Sequence, residues 1–419
     1  MRAWWLRAVV GVVLIAVVLL AVGIVRVEAR QHSMGDRAVA TASAMLNEFY
    51  NSGQGLLTTT QGENGSGSSI FSEVSFTPTD MWDYSWALDG LEEVALLPGG
   101  SRFLPQIKTL VAHMDEYWDA QAPVPGYSPA VHGGPNTTKY FDDNAWAGLD
   151  LIYAYRLTKD PQDLTQAEAV FRYEESGWDP NGGGLFWSDA RQYRNTPANG
   201  PATELAVYLY LDTHQVTYLQ WAEKIYKWEV STLVNPSTGE VYDGIDNGGS
   251  VNHALYTYNQ GTVIGAATLL YEVTHKQSYL NQARQTFYFT DNSSSLVQSD
   301  GVLVDQAEFN GVLADNLVLL YRVDPDPTIA KLIDTSASMA WSTARDPQTG
   351  MIAANWNGPP PTSPQSLLTE SGAVRILAAA AAIHGPVSTW DALVRKPQPC
   401  HPAAKQVVSL FAATGQCTD

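Results

Sequence analysis

Six times along the chain a helical stretch opens on polar and aromatic residues and then turns small and apolar. The openings read Trp82-Asp83-Tyr84-Ser85-Trp86, Asp142-Asp143-Asn144-Ala145-Trp146, Thr203-Glu204-Leu205, Tyr258-Asn259-Gln260-Gly261, Glu308-Phe309-Asn310-Gly311 and Thr369-Glu370-Ser371-Gly372. From Asp83 through Asp143, Glu204, Gln260, Asn310 and Glu370 the steps are about 60, 61, 56, 50 and 60 residues. The residues themselves do not repeat, so the period belongs to the structure. Helical spacing of apolar residues predicts twelve helices, near 37–51, 81–97, 103–119, 142–158, 162–175, 202–213, 216–233, 258–274, 277–289, 306–322, 327–343 and 365–383. No alternating run is long enough for a central sheet, and short β pieces are expected only in loops such as Gly182–Trp187. A helical hairpin recurring six times describes an all-α, (α/α)6 barrel over residues 36–390, with its polar openings gathered around one cleft.

Hydrophobic residues make up 45% of the 419 and charged residues 16%, the balance of a folded chain. The net charge of −19 comes with no basic block, which excludes nucleic acid as a partner. The 13 Trp and 20 Tyr supply flat apolar faces of the kind that meet sugar rings. Outside the barrel, residues 1–30 hold an uncharged run from Ala8 to Val25, 18 residues or roughly 27 Å of helix, close to a bilayer core. It predicts a membrane anchor; Val27-Glu28-Ala29 offers the alternative of a cleaved signal and a secreted protein. Both place the domain outside the cytoplasm. There the two cysteines, Cys400 and Cys417 in the tail 391–419, are expected to form a disulfide.

The chemistry concentrates at Asp142 and Asp143, side by side after Tyr140-Phe141. One aspartate at a helix start is ordinarily a cap. Two adjacent carboxylates cannot both ionise cheaply, so one pKa must rise while the helix N-terminus favours the other as an anion. A retaining glycosidase divides its two carboxyls in this way, and holds them closer together than an inverting one does.

Tyr140-Phe141-Asp142-Asp143-Asn144-Ala145-Trp146, Gly182-Gly183-Gly184-Leu185-Phe186-Trp187, Tyr242-Asp243-Gly244 and Thr257-Tyr258-Asn259-Gln260-Gly261 follow in that order. Together they resemble glycoside hydrolase family 76, the endo-α-1,6-mannanases, from about Thr41 to about Ala382. The resemblance implies hydrolysis of α-1,6-mannan with retention, Asp142 being nucleophile and Asp143 acid/base. It also implies Tyr140, Asn144, Tyr258, Asn259 and Gln260 as sugar ligands. The chain departs from the family pattern at Thr203, Asn310 and Asp315, where members often carry Asn, Lys and Arg.

Trp82, Trp86, Trp146 and Trp187 are either sugar platforms or core. Asp243 is a sugar ligand or a turn residue before Gly244, and Glu204 a cleft acceptor or a helix-start charge. Residues 243–248 miss the spacing of a calcium loop, and no His-Glu-x-x-His or zinc set occurs. No cofactor or metal is implied. The expected partner is a mannose-containing glycan, acted on by a monomer tethered to the membrane. Transglycosylation, or binding without turnover, is the alternative activity.

Overall fold

The computed structural model describes residues 33–58, 78–133 and 137–385. The Ala8–Val25 span and the Cys400–Cys417 pair lie outside the described residues. The helices are α1 (Met34–Phe49), α2 (Met81–Ala95), α3 (Leu104–His113), α4 (Phe141–Thr158), α5 (Pro161–Ser176), α6 (Thr196–Thr213), α7 (Val216–Leu233), α8 (Thr257–Thr274), α9 (Gln277–Asn292), α10 (Ala307–Val323), α11 (Pro327–Ser342) and α12 (Leu367–His384). The fold is all-α. Each even-numbered helix packs on the next, and α12 on α2, so that they close a ring inside the odd-numbered helices.

Outer helices are amphipathic. On α1, Ala38, Thr41, Ala42, Met45 and Phe49 are buried at helical spacing, and Met45 and Phe49 contribute about 1.5–3 kcal/mol each. Inner helices are buried all round: α8 loses every residue from Asn259 to Leu270 to the interior, because it meets a ring neighbour on each side and outer helices behind. Close approach within the ring demands small residues. A Cβ at Gly372 would lie 2.1 Å from the Ala307 carbonyl oxygen. Helix α12 is long and apolar enough to cross a membrane, yet it is largely buried and completes this ring.

From α4 to α10, each inner helix runs into the following outer one through a short turn. After α4, α6 and α8 this turn starts with Lys159, His214 and His275 at φ 63°, 58° and 56°, a left-handed cap that reverses the chain within two residues. Longer loops lead from each outer helix into the next inner one, at the opposite end. There the short strands β5 (Tyr193–Asn195), β6 (Gly244–Asp246) and β7 (Val251–Asn252) form an antiparallel sheet in the order β5-β6-β7, whereas β1 (Tyr50–Asn51) pairs with β2 (Leu56–Leu57) and β3 (Trp118–Asp119) with β4 (Gly126–Tyr127). Residues 182–187 make isolated bridges rather than a strand. Gly183 and Gly184 sit at φ 74° and 80° under the Trp228 ring, which donates to the Gly182 carbonyl at 2.9 Å. The triple glycine is a seat for an indole.

Part of what looked like a cleft lining is a set of latches. Asn144 accepts from Tyr127 N at 2.6 Å and donates to Tyr127 O at 3.0 Å. Asn199 does the same with Leu185, at 2.8 and 3.1 Å, and Gln260 with Val241, at 3.1 and 3.0 Å. Glu370 accepts from Ile352 N at 2.8 Å. Each of these four side chains thus holds the loop that precedes its own helix. Asn199→Ala should lower stability by about 3 kcal/mol, because it strands two buried backbone groups of Leu185. Thermal or urea unfolding checks this, and a loss under about 1 kcal/mol would contradict the latch.

Helix α6 starts at Thr196, six residues before its expected position at 202. Pro197 occupies its first turn, where no N–H is needed, and Pro201 is accommodated within it. Glu204 consequently lies more than two turns down the helix, in the ring's interior.

Candidate active site

At the end where the long loops lie, a cleft of about 490 Å³ is lined by Trp82, Trp86, Tyr140, Asp142, Asp143, Trp146, Trp187, Asp243 and Tyr258, all expected there. Asp80, Tyr193, Asn195, Asn252, Tyr256, Gln306 and Phe309 complete much of its wall, and among its described lining residues no Lys, Arg or His occurs. Trp86 forms the floor, its ring 5.4 Å from Trp82, 5.6 Å from Trp146, 6.4 Å from Tyr258 and 6.0 Å from Phe309. Aromatic rings stand in contact around the floor, and Trp86 and Trp146 are both buried in the core and part of the cleft lining.

Asp142 and Asp143 are the second and third residues of α4. Phe141 anchors the turn, stacked on Tyr173 at 4.6 Å, and its N–H donates to Trp187 O at 2.8 Å. Asp142 accepts from its neighbour's backbone, Asp143 N to Oδ1 at 3.1 Å, and from the Trp187 indole, Nε1 to Oδ2 at 2.9 Å. Burial pushes Asp142 up to about 7; the Asp143 amide and the indole oppose that rise, and the Asp243 carboxylate adds to it. Asp143 is pushed well above the usual range, first by burial and then by Asp142, Asp80 and Asp83. Both carboxyls thus titrate above the ordinary carboxylate range, and two N–H donors favour the ionised form of Asp142. Behind them Glu174 of α5 is fully buried, and burial followed by the two aspartates raises its pKa as well.

Asp243 stands across the cleft at the entry to β6. Its carboxylate accepts from Tyr193 Oη at 2.6 Å, Asn252 Nδ2 at 3.1 Å and Asn259 Nδ2 at 3.2 Å. Asn259 thus acts from behind Asp243 and is itself fully buried. Asn144 and Gln260 are likewise buried, turned to the loops they latch, and Glu204 is 3% exposed within the ring. None of these four lines the cleft: Asn144, Asn259 and Gln260 were expected to bind sugar, and Glu204 to be a cleft acceptor or a helix-start charge. One helical residue turns by about 100° from the next, so a cleft-facing Asp143 sends Asn144 elsewhere.

The three departures from the family pattern fall below the cleft. Thr203 donates to Asn199 O at 2.9 Å, and Asn310 bonds to Thr257 Oγ1 at 3.1 Å and Asp305 O at 2.8 Å. Asp315 meets the buried Arg375 of α12 at 2.5 Å, and the same guanidinium reaches Asp89 at 2.8 Å and lies 5.8 Å from the Trp86 ring centre. Position 315 has an acid because its basic partner sits on the neighbouring inner helix. Two carboxylate triplets of this interior, Asp89/Glu93/Asp315 and Asp89/Glu92/Asp150, are close enough to share a cation. In the first, Arg375 already supplies the positive charge.

The sequence matches the model of glycosyl hydrolase family 76 over residues 33–388. The chain belongs to glycosyl hydrolase family 76. Among curated relatives, mannan endo-1,6-alpha-mannosidase DCW1 of Saccharomyces cerevisiae is 31% identical over 190 residues, covering 41% of this chain and 41% of the relative. The Eremothecium gossypii protein of the same name is 28% identical over 254 residues, 52% of this chain and 56% of the relative. The chain thus spans about half the length of these relatives, or less. Among solved structures, an inactive variant of the α-1,6-mannanase GH76A of Salegentibacter sp. HEL1_6 is 25% identical with a TM-score of 0.71, over 84% of this chain and all of that one. Two neighbouring aspartates are replaced by asparagine in that variant, which is in complex with α-1,6-mannotriose. A family 76 mannosidase of Bacteroides thetaiotaomicron shares the fold at TM-score 0.76 and 22% identity, over 84% and 98% of the two chains.

Proposed function

We propose that this chain hydrolyses α-1,6-linked mannan by double displacement, with Asp142 as nucleophile and Asp143 as acid/base. The observation that carries the reading is the contrast within the adjacent pair. Asp142 is braced by two N–H donors at a helix N-terminus, the setting of an anion ready to attack. Burial beside acids favours the protonated form of Asp143, the setting of a proton donor. In the first step Asp142 bonds to the anomeric carbon as the glycosidic bond breaks, and Asp143 gives its proton to the departing oxygen. The resulting Asp143 carboxylate then takes a proton from water, whose oxygen displaces Asp142. Two inversions restore the α configuration.

The lining supports a neutral sugar substrate: aromatic faces and acids line the cleft, and among its described residues no cation is available for an anionic glycan. The printed names of the relatives and the mannotriose complex support mannan in particular. Aromatic surface continues beyond the pair onto α8 and α10 through Tyr256, Tyr258 and Phe309, which favours a second reading in which a sugar hydroxyl replaces water and chains are transferred. An extracytoplasmic location, with Ala8–Val25 as anchor or cleaved signal, belongs to the same proposal.

Incubation with α-1,6-mannan, followed by sizing and early proton NMR of the products, tests the proposal. Shorter reducing chains whose first-formed anomer is α are expected. Lengthened chains select transfer, a β first-formed anomer overturns double displacement, and binding without any product leaves a lectin-like protein.

A further inference from the structure

Trp187 is the most exposed tryptophan at the cleft, with 41% of its surface open, so burial does not account for its place. Its backbone is fixed on both sides. Its N–H donates to Tyr193 O at 2.7 Å, its carbonyl accepts from Phe141 N at 2.8 Å, and the next residue, Ser188, bridges to Tyr140. The Tyr140 ring lies 5.1 Å from the indole, tilted by 49°. The loop is thereby pinned to the first turn of α4, and the indole N–H is delivered 2.9 Å from Asp142 Oδ2 while the Asp143 amide takes Oδ1. One donor on each oxygen sets the plane of the carboxylate.

An indole N–H only donates, so it rewards the ionised form of its partner. Burial and the Asp243 carboxylate push the other way. Asp143 on α4, Asp243 before β6, Glu174 on α5 and the Tyr258 phenol on α8 all face Asp142, with Asp80, the N-cap of α2, and Asp83 on α2 near Asp143, and none of them is a cation.

We propose that Trp187 is a positioning residue for the reaction: its indole N–H keeps Asp142 ionised and aims its carboxylate, in addition to any stacking of sugar on the ring. The inference rests on the reading of Asp142 as nucleophile. It assigns two separable duties to one side chain, because Trp187→Phe keeps an aromatic face and loses the donor, whereas Trp187→Ala loses both.

The test is the pH profile of kcat/KM on α-1,6-mannan for the wild type, Trp187→Phe and Trp187→Ala, with Asp142→Asn alongside. Loss of a hydrogen bond to a charged group should move the acid limb upward by about one pH unit in both Trp187 variants. Below the limb each should then lose roughly tenfold more activity than above it. Trp187→Ala should also raise KM, and Trp187→Phe should leave KM nearly unchanged. If Asp142→Asn is inactive but the limb stays in place in both variants, the indole is only a platform and the inference fails alone. If Asp142→Asn retains activity, the assignment of the nucleophile fails and the inference goes with it.

Discussion

Asp142→Asn should reduce cleavage of α-1,6-mannan by roughly 10³-fold or more, and should do so equally on substrates with activated leaving groups. The amide is nearly the same size, and its one oxygen can still accept from either the Trp187 indole or the Asp143 amide, so the fold should be kept. What it lacks is an anionic oxygen able to bond to the anomeric carbon, which both steps require. A good leaving group cannot compensate for an absent nucleophile. Steady-state assays on mannan and on an aryl α-mannoside extended by an α-1,6-linked mannose separate this from a binding defect, since KM should stay within a few fold while kcat collapses. A variant that keeps more than about one hundredth of the activity would mean that the pair is a helix cap and that the reaction is run from elsewhere in the cleft.

Asp143→Ala should give a different pattern. On mannan the loss should again be about 10²–10⁴-fold, because the departing sugar oxygen must be protonated. On an activated substrate the first step needs no proton, so the enzyme should load in a burst and then stall, with no base to activate water. Azide needs no base and should restore turnover, giving an α-mannosyl azide through a second inversion. The burst, the stall and the azide product are separately measurable, and a β-mannosyl azide would contradict the double displacement. The pH profile should change as well. In the wild type the activity should fall at low pH as Asp142 takes up a proton, and at high pH as Asp143 loses the one it must donate; azide-rescued Asp143→Ala should retain the first limb and lose the second.

Much of this arrangement was legible in the sequence, for a physical reason. An inner helix of a closed ring is buried along most of its length, and at the cleft end it carries polar and aromatic residues, so each of the six announces itself by a polar start. The Asp142-Asp143 pair stands out because two adjacent acids at one helix start are more than a cap requires. The less legible parts have equally definite causes. Asn144 and Gln260 follow cleft residues by one or two positions, and the turn of the helix carries them to the preceding loop, where Tyr127 and Val241 need partners. Glu204 was misplaced because Pro197 and Pro201 look like breakers when they are read without knowing that α6 begins at Thr196. Tyr193 and Asn252 come from strands of three and two residues, too short for any period to show, yet both reach the Asp243 carboxylate. The acid at 315 is explained only by Arg375, a residue on the next inner helix.

The central claim is that mannose becomes bonded to Asp142 during turnover. Asp143→Ala, mixed with an activated α-mannoside in the absence of azide, should accumulate that species, and digestion followed by mass spectrometry would locate it. The account predicts a mannosyl adduct on the peptide carrying Asp142, at the Asp142 carboxylate, which disappears when azide is added. An adduct on Asp143→Ala at any other carboxylate, or release of product with no adduct at any stage, would contradict it.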